Sequence, residues 1–164
     1  MNGIMRLTKT KHKMKTFDSL DEILDFAMNS EQEAVDFYTE LADKQRNRQI
    51  RELFLEFAQE EVSHKARLQK IKEEQLFDLQ TEPVTDLKIS DYVVSRKPSP
   101  ELSYADALVL AMKKEKAAFK LYTALAERTG NTGLSKVFQA LALEESRHKL
   151  RFEIEYDEYV MREN

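Results

Sequence analysis

A shift of 84 residues lays one half of this chain over the other. Between 19–72 and 103–156, 18 of 54 positions are identical without a gap. The matched pairs include Ala27-Met28 with Ala111-Met112, Glu31 with Glu115, Tyr38-Thr39 with Tyr122-Thr123, Glu60-Glu61 with Glu144-Glu145, and His64-Lys65 with His148-Lys149. Self-similarity at a fixed offset marks a duplicated supersecondary unit, so whatever one half folds into, the other must fold into as well. Apolar residues recur at helical spacing in both halves, and neither half shows sustained period-two alternation. Ser19-x-x-Glu22 is a capping-box pattern, and Ser103-x-x-Asp106 is a similar cap one repeat later. The unit is therefore a helical hairpin, with helices over about 20–45 and 47–74, then about 104–128 and 132–160. Thr129-Gly130-Asn131-Thr132-Gly133 breaks the second pair; the first turn, near Arg46-Asn47, is inferred from its repeat partner.

All three prolines, at 83, 98 and 100, fall in the 28 residues between the hairpins. A helix of ~27 residues is ~40 Å long, and a connection of that length spans about twice as much. The expected fold is all-α: a four-helix bundle of two duplicated hairpins, 19–74 and 103–160, joined by one long crossover over 75–102. Residues 1–17 form a basic arm (Arg6, Lys9, Lys11, His12, Lys13, Lys15) with little to bury, expected to be disordered, ahead of a single domain over 18–164.

Alternating four- and three-residue steps trace the buried seam of each helix. The seams read Leu20, Leu24, Ala27, Glu31, Ala34, Tyr38, Leu41; then Ile50, Phe54, Phe57, Glu61, His64, Leu68, Ile71; then Tyr104, Leu108, Ala111, Glu115, Ala118, Tyr122, Leu125; and finally Leu134, Phe138, Leu141, Glu145, His148, Phe152. Glu155 follows on the last seam and is expected near a frayed helix end. Otherwise every acid or histidine on the seams lies at mid-helix: one glutamate from each helix and one histidine from each of two. Burying a carboxylate costs several kcal/mol even after relaxation, and four together repel one another. Two divalent cations cancel the four charges, and two imidazoles complete the donor set. Two Glu-x-x-His copies facing two further glutamates is the di-iron carboxylate arrangement. The candidate metal ligands are thus Glu31, Glu61, His64, Glu115, Glu145 and His148. Mixed oxygen and imidazole donors suit iron first, with manganese or zinc as substitutes.

Four residues beside these keep two readings each. Glu60 and Glu144 read first as solvated carboxylates, with a role in holding a ligand histidine as the alternative. Tyr38 and Tyr122 read first as bundle-core tyrosines, with a hydrogen bond to a ligand carboxylate as the alternative. Composition removes other chemistries. The chain has no cysteine, which excludes thiolate metal sites, iron–sulfur clusters and cysteine nucleophiles, and its three glycines build no phosphate loop. A formal charge of −4 gives no reason to expect nucleic acid, and no apolar run approaches the ~20 residues of a membrane span. A cytoplasmic location is expected.

With these residues in place, the chain resembles the rubrerythrin family of ferritin-like di-iron proteins over about 19–160. By position, Glu31 and Glu115 match the family's terminal glutamates, Glu61 and Glu145 its bridging carboxylates, and His64 and His148 its histidine ligands. The resemblance implies two iron ions per chain, hydrogen peroxide or oxygen as the small-molecule substrate, an external electron donor and a homodimer. Two departures stand out. Rubrerythrins proper carry a rubredoxin domain whose iron is held by four cysteines, and this chain has none. They also place an additional glutamate on the third helix, where this chain has Ala118. The function expected from the resemblance is reduction of hydrogen peroxide at a di-iron site. The alternatives are an oxygen-dependent ferroxidase or oxidase, and an iron-binding bundle without turnover.

Overall fold

The computed structural model describes residues 19–74, 87–88, 91–94 and 102–164. Four α-helices make up nearly all of it: α1 (Leu20–Asp43), α2 (Arg48–Glu73), α3 (Tyr104–Arg128) and α4 (Thr132–Glu163). The Ser19 and Ser103 side chains accept from the backbone N–H of Glu22 and Asp106, satisfying donors that the first helical turn leaves free. Asn47 and Asn131, paired by the duplication, cap α2 and α4 in the same manner. The first turn therefore sits where its copy sits. The expected basic arm and most of the crossover lie outside the described residues.

The expected end of α4 needs correction. The helix continues to Glu163, and Glu155 is buried in its body, accepting from Tyr104 Oη at 2.9 Å and from the Arg162 guanidinium at 3.3 Å. A carboxylate with two donors is stabilised where an unpartnered one would force the turn open. Tyr104 comes from the start of α3, so part of what holds Glu155 in the helix body is a tertiary contact.

Packing is concentrated within each hairpin, α1 on α2 and α3 on α4. The apolar core lies in two slabs. One joins the start of α1 (Ile23, Leu24), the ends of α2 (Leu68, Ile71) and α3 (Leu121, Leu125), and the start of α4 (Leu134, Phe138). The other joins Leu41, Phe54, Leu108 and Phe152 from the opposite helix ends. Since α2 ends in the first slab and α3 begins in the second, these two helices run the same way and their connection must travel the length of the bundle. Leu87 buries itself in the first slab and Val94 packs against the second, which marks that path.

Candidate metal centre

Between the two slabs the core turns polar. Glu31, Glu61, His64, Glu115, Glu145 and His148 are each at most 3% exposed. They are the six residues singled out on the seams, and the fold brings all six into one layer. Their donor atoms form two overlapping groups: Glu31, Glu61, His64 and Glu145, and Glu61, Glu115, Glu145 and His148, with the atoms of each group within 4.8 Å of one another. Glu61 and Glu145 belong to both. The layer is thus two similar half-sites sharing two carboxylates, as the duplication requires.

Both imidazoles turn the same nitrogen inward. His64 Nδ1 lies 3.4 Å from Glu61 and 3.7 Å from Glu31, while His148 Nδ1 lies 2.8 Å from Glu61 and 3.6 Å from Glu115. The rings are nearly parallel, with centroids 5.9 Å apart. Their outer nitrogens face carboxylates of the opposite hairpin. His148 Nε2 is hydrogen-bonded to Glu60, and His64 Nε2 is 2.9 Å from Glu144, an approach not aligned as a hydrogen bond. Glu144 is in turn held by Arg67 at 2.8 Å. Anchoring the far nitrogen fixes ring orientation and leaves the near one free to coordinate. Glu60, read first as solvated, therefore takes its alternative role, while Glu144 approaches His64 without a hydrogen bond to it and is held by Arg67 instead.

The tyrosines do likewise. Tyr38 Oη donates to Glu115 and Tyr122 Oη donates to Glu31, so each phenol reaches from one hairpin to the carboxylate of the other. Burial first, and then the Glu115 and Glu31 carboxylates, push Tyr38 and Tyr122 respectively well above the ordinary phenol value, so both remain donors. The signal that favours these roles was present in the sequence, since Tyr38/Tyr122 and Glu60/Glu144 are identical pairs in the duplication.

The electrostatics of the layer show what it lacks. Burial, followed by repulsion from Glu115 and Glu31, drives Glu61 well above the carboxylate range, and burial with repulsion from Glu115, Glu31 and Glu61 does the same to Glu145. Burial opposes a charged His64, yet Glu31 and Glu61 outweigh it and raise the imidazole to about 10. Against the same penalty, Glu115 and Glu61 raise His148 to about 11. Among the described residues, six buried side-chain atoms have no hydrogen-bond partner: Glu61 Oε1, His64 Nδ1 and Nε2, Glu115 Oε2, Glu145 Oε1 and His148 Nδ1. Each orphan costs about 1–3 kcal/mol, more where the group is charged. His64 Nε2 faces Glu144, but the other five atoms belong to the residues of the two donor groups, and a cation among them satisfies what protons do not. The residues fit a divalent metal pair.

A bundle of duplicated hairpins around a carboxylate–imidazole layer defines a ferritin-like protein. A family model described as Rubrerythrin matches residues 22–102 and 106–164, and the chain belongs to the rubrerythrin family. Two solved structures share its fold, each with a TM-score of 0.67. A hypothetical protein from Pyrococcus furiosus is 25% identical over 85% of this chain and 89% of its own. A protein from Thermotoga maritima described as a ferritin-like diiron-carboxylate protein is 23% identical over 90% of this chain and 99% of its own. No curated protein matches the chain. Among the described residues, no helix is long and apolar enough to cross a membrane.

Proposed function

We propose that the chain is a di-iron oxidoreductase that reduces hydrogen peroxide to water with electrons from an external donor. The observation that carries this reading is the pair of overlapping donor groups joined by Glu61 and Glu145. Glu31 and His64 would hold one ion, Glu115 and His148 the other, and the two shared glutamates would bridge them. Two iron ions per chain balance the four carboxylates, and manganese or zinc fits the same donors. A ferrous pair supplies both electrons that cleavage of the peroxide O–O bond requires. The protein's own groups hold that chemistry in place. Tyr38 and Tyr122 fix the terminal carboxylates, Glu60 orients the His148 imidazole, and the apolar slabs close the layer above and below. None of these 164 residues is a cysteine that could hold a thiolate iron, and an external donor is the electron source we propose. We place it in the cytoplasm as a homodimer.

Anaerobic loading with ferrous iron, followed by separate titration with peroxide and with oxygen, tests the proposal. The expected result is fast two-electron oxidation by peroxide and slow reaction with oxygen. Preference for oxygen with accumulating iron mineral would make the protein a ferroxidase. No redox change with either oxidant would leave a metal-binding bundle.

A second expectation concerns Ala118, where rubrerythrins proper carry a further carboxylate. A methyl group offers no ligand atom, so no local carboxylate at this position stands ready to replace a histidine when the iron charge rises. His64 and His148 are both expected to remain bound in the diferrous and the diferric states. Structures of the two redox states, collected without beam reduction, check this; an iron that has left its histidine and moved by more than an ångström would refute it.

A further inference from the structure

The carboxylate layer opens on one side into a cavity of about 600 Å³ between α1 and α3. Its floor is Glu31, Glu61, Glu115 and Glu145. Along α1 its wall runs from Phe26 to Glu40, about 21 Å of helix at 1.5 Å per residue. The cavity therefore extends well beyond the space that two ions and their solvent ligands occupy. It exists because small side chains, Ala27 and Ala34 on α1 and Ala117 and Ala118 on α3, face a gap that the helices do not close. Tyr92, Val93 and Val94 of the crossover line it as well.

Hydrogen peroxide does not need this room. It has two heavy atoms, whereas at roughly 30 Å³ per water the cavity corresponds to about twenty waters. Its volume lies in the range of sites for organic ligands, about 300–1,000 Å³, and such sites are mostly apolar with a few polar groups placed to orient the ligand. Here Phe26, Ala34, Phe37, Val94, Ala118 and Leu121 supply the apolar wall. The polar groups at depth are the four glutamates and the Tyr122 hydroxyl that donates to Glu31. Among the described residues, the rim carries Glu33, Asp36 and Glu40 against one ammonium, Lys114, which lies 4.0 Å from Glu33 and 5.9 Å from the Phe37 ring centroid. An acidic rim disfavours an anionic ligand, so the occupant matched to this site is neutral and apolar, with one reactive polar end directed at the carboxylate layer.

We propose that the cavity admits a neutral organic hydroperoxide, ROOH, as a substrate of the same centre, with the apolar R group against the α1/α3 wall. This rests on the peroxidase reading above. The O–O bond breaks and accepts two electrons, one from each ferrous ion, and two protons. The products are ROH and water, and two electrons from the external one-electron carrier restore the ferrous pair.

Cumene hydroperoxide tests the proposal in two ways. With diferrous protein in stopped flow, its oxidation rate should saturate with concentration. With zinc-loaded protein, the redox-inert alcohol 2-phenyl-2-propanol should bind, read by saturation-transfer NMR. Ala118→Phe and Val94→Trp fill the cavity from α3 and from the crossover respectively. In each variant that retains its metals, alcohol binding and the rate ratio of cumene hydroperoxide to hydrogen peroxide should fall at least tenfold. If one variant fails to fold, the other still decides. Hydrogen peroxide reacting while cumene hydroperoxide shows no saturation, or an alcohol that does not bind, overturns this proposal and leaves the peroxidase reading intact. Reaction with neither peroxide overturns both.

Discussion

Stripping the metals with a chelator should lower the melting midpoint by about 15–30 °C, and the gap should widen as pH rises. A ligand at a thousand times its dissociation constant stabilises the native state by about 4 kcal/mol, and two such sites contribute about 8. In a chain of this size each kcal/mol is worth about 2–4 °C. Without metals, protons are what hold the layer together. His64 is raised to about 10 and His148 to about 11 because, despite burial, the neighbouring glutamates favour their charged forms. The folded apo protein thus binds more protons than the unfolded chain, whose imidazoles titrate near 6.5. The stabilisation from these two groups is complete below pH 6.5 and is lost as pH rises through 10 to 11. Glu61 and Glu145, also raised, act in the same direction. In the loaded protein cations replace those protons, and metal affinity itself rises with pH as fewer protons must be displaced. Calorimetry at pH 6.5 and pH 9, with and without chelator, gives the four midpoints required. Equal midpoints with and without metal would show that the layer does not bind as drawn.

The half-sites were legible because duplication made each residue testify twice. Glu31 alone on a seam is a polar residue among apolar ones. Glu31 and Glu115 at matching offsets, with two copies of Glu-x-x-His facing them, admit few explanations other than a metal pair. The helix starts were legible for a local reason, since Ser19, Asn47, Ser103 and Asn131 act on N–H groups within three residues of themselves.

What escaped periodicity was everything that depends on which helix faces which. A seam assigns a residue to the core side of its own helix and is silent about its neighbour across the gap. Glu60 lies one position before a seam residue, so periodicity alone leaves it between solvent and interior. It reaches His148, 88 residues away, only because α2 and α4 run antiparallel side by side. Tyr38 reaches Glu115 and Tyr122 reaches Glu31 across the two hairpins because α1 and α3 likewise lie against each other. The burial of Glu155 escaped because one of its two donors, Tyr104, comes from the start of α3. The cavity escaped because small residues at helical spacing either let two helices close on each other or leave a gap, and only the path of the whole chain decides which.

The shared glutamates should be the most damaging positions in the protein for metal content. Glu31 and Glu115 each belong to one donor group, whereas Glu61 and Glu145 belong to both. Replacing a terminal glutamate therefore weakens one ion's site directly and leaves four donors for the other. Replacing a bridging one removes a charge and a donor from both sites at once, and it breaks the link that lets one bound ion favour the second. Glu61→Ala and Glu145→Ala are each expected to lose both irons, whereas Glu31→Ala and Glu115→Ala should retain about one per chain. Glu61→Gln separates the two consequences of truncation, since it keeps the side-chain volume and removes the charge. If it too loses both ions, the missing charge is responsible and the void left by alanine is not. Elemental analysis of folded, desalted protein after ferrous loading provides the measurement, with circular dichroism confirming that each variant is helical. Full iron occupancy in both Glu61→Ala and Glu145→Ala would remove these two residues from the centre, and the carboxylates that join its halves would have to be sought elsewhere.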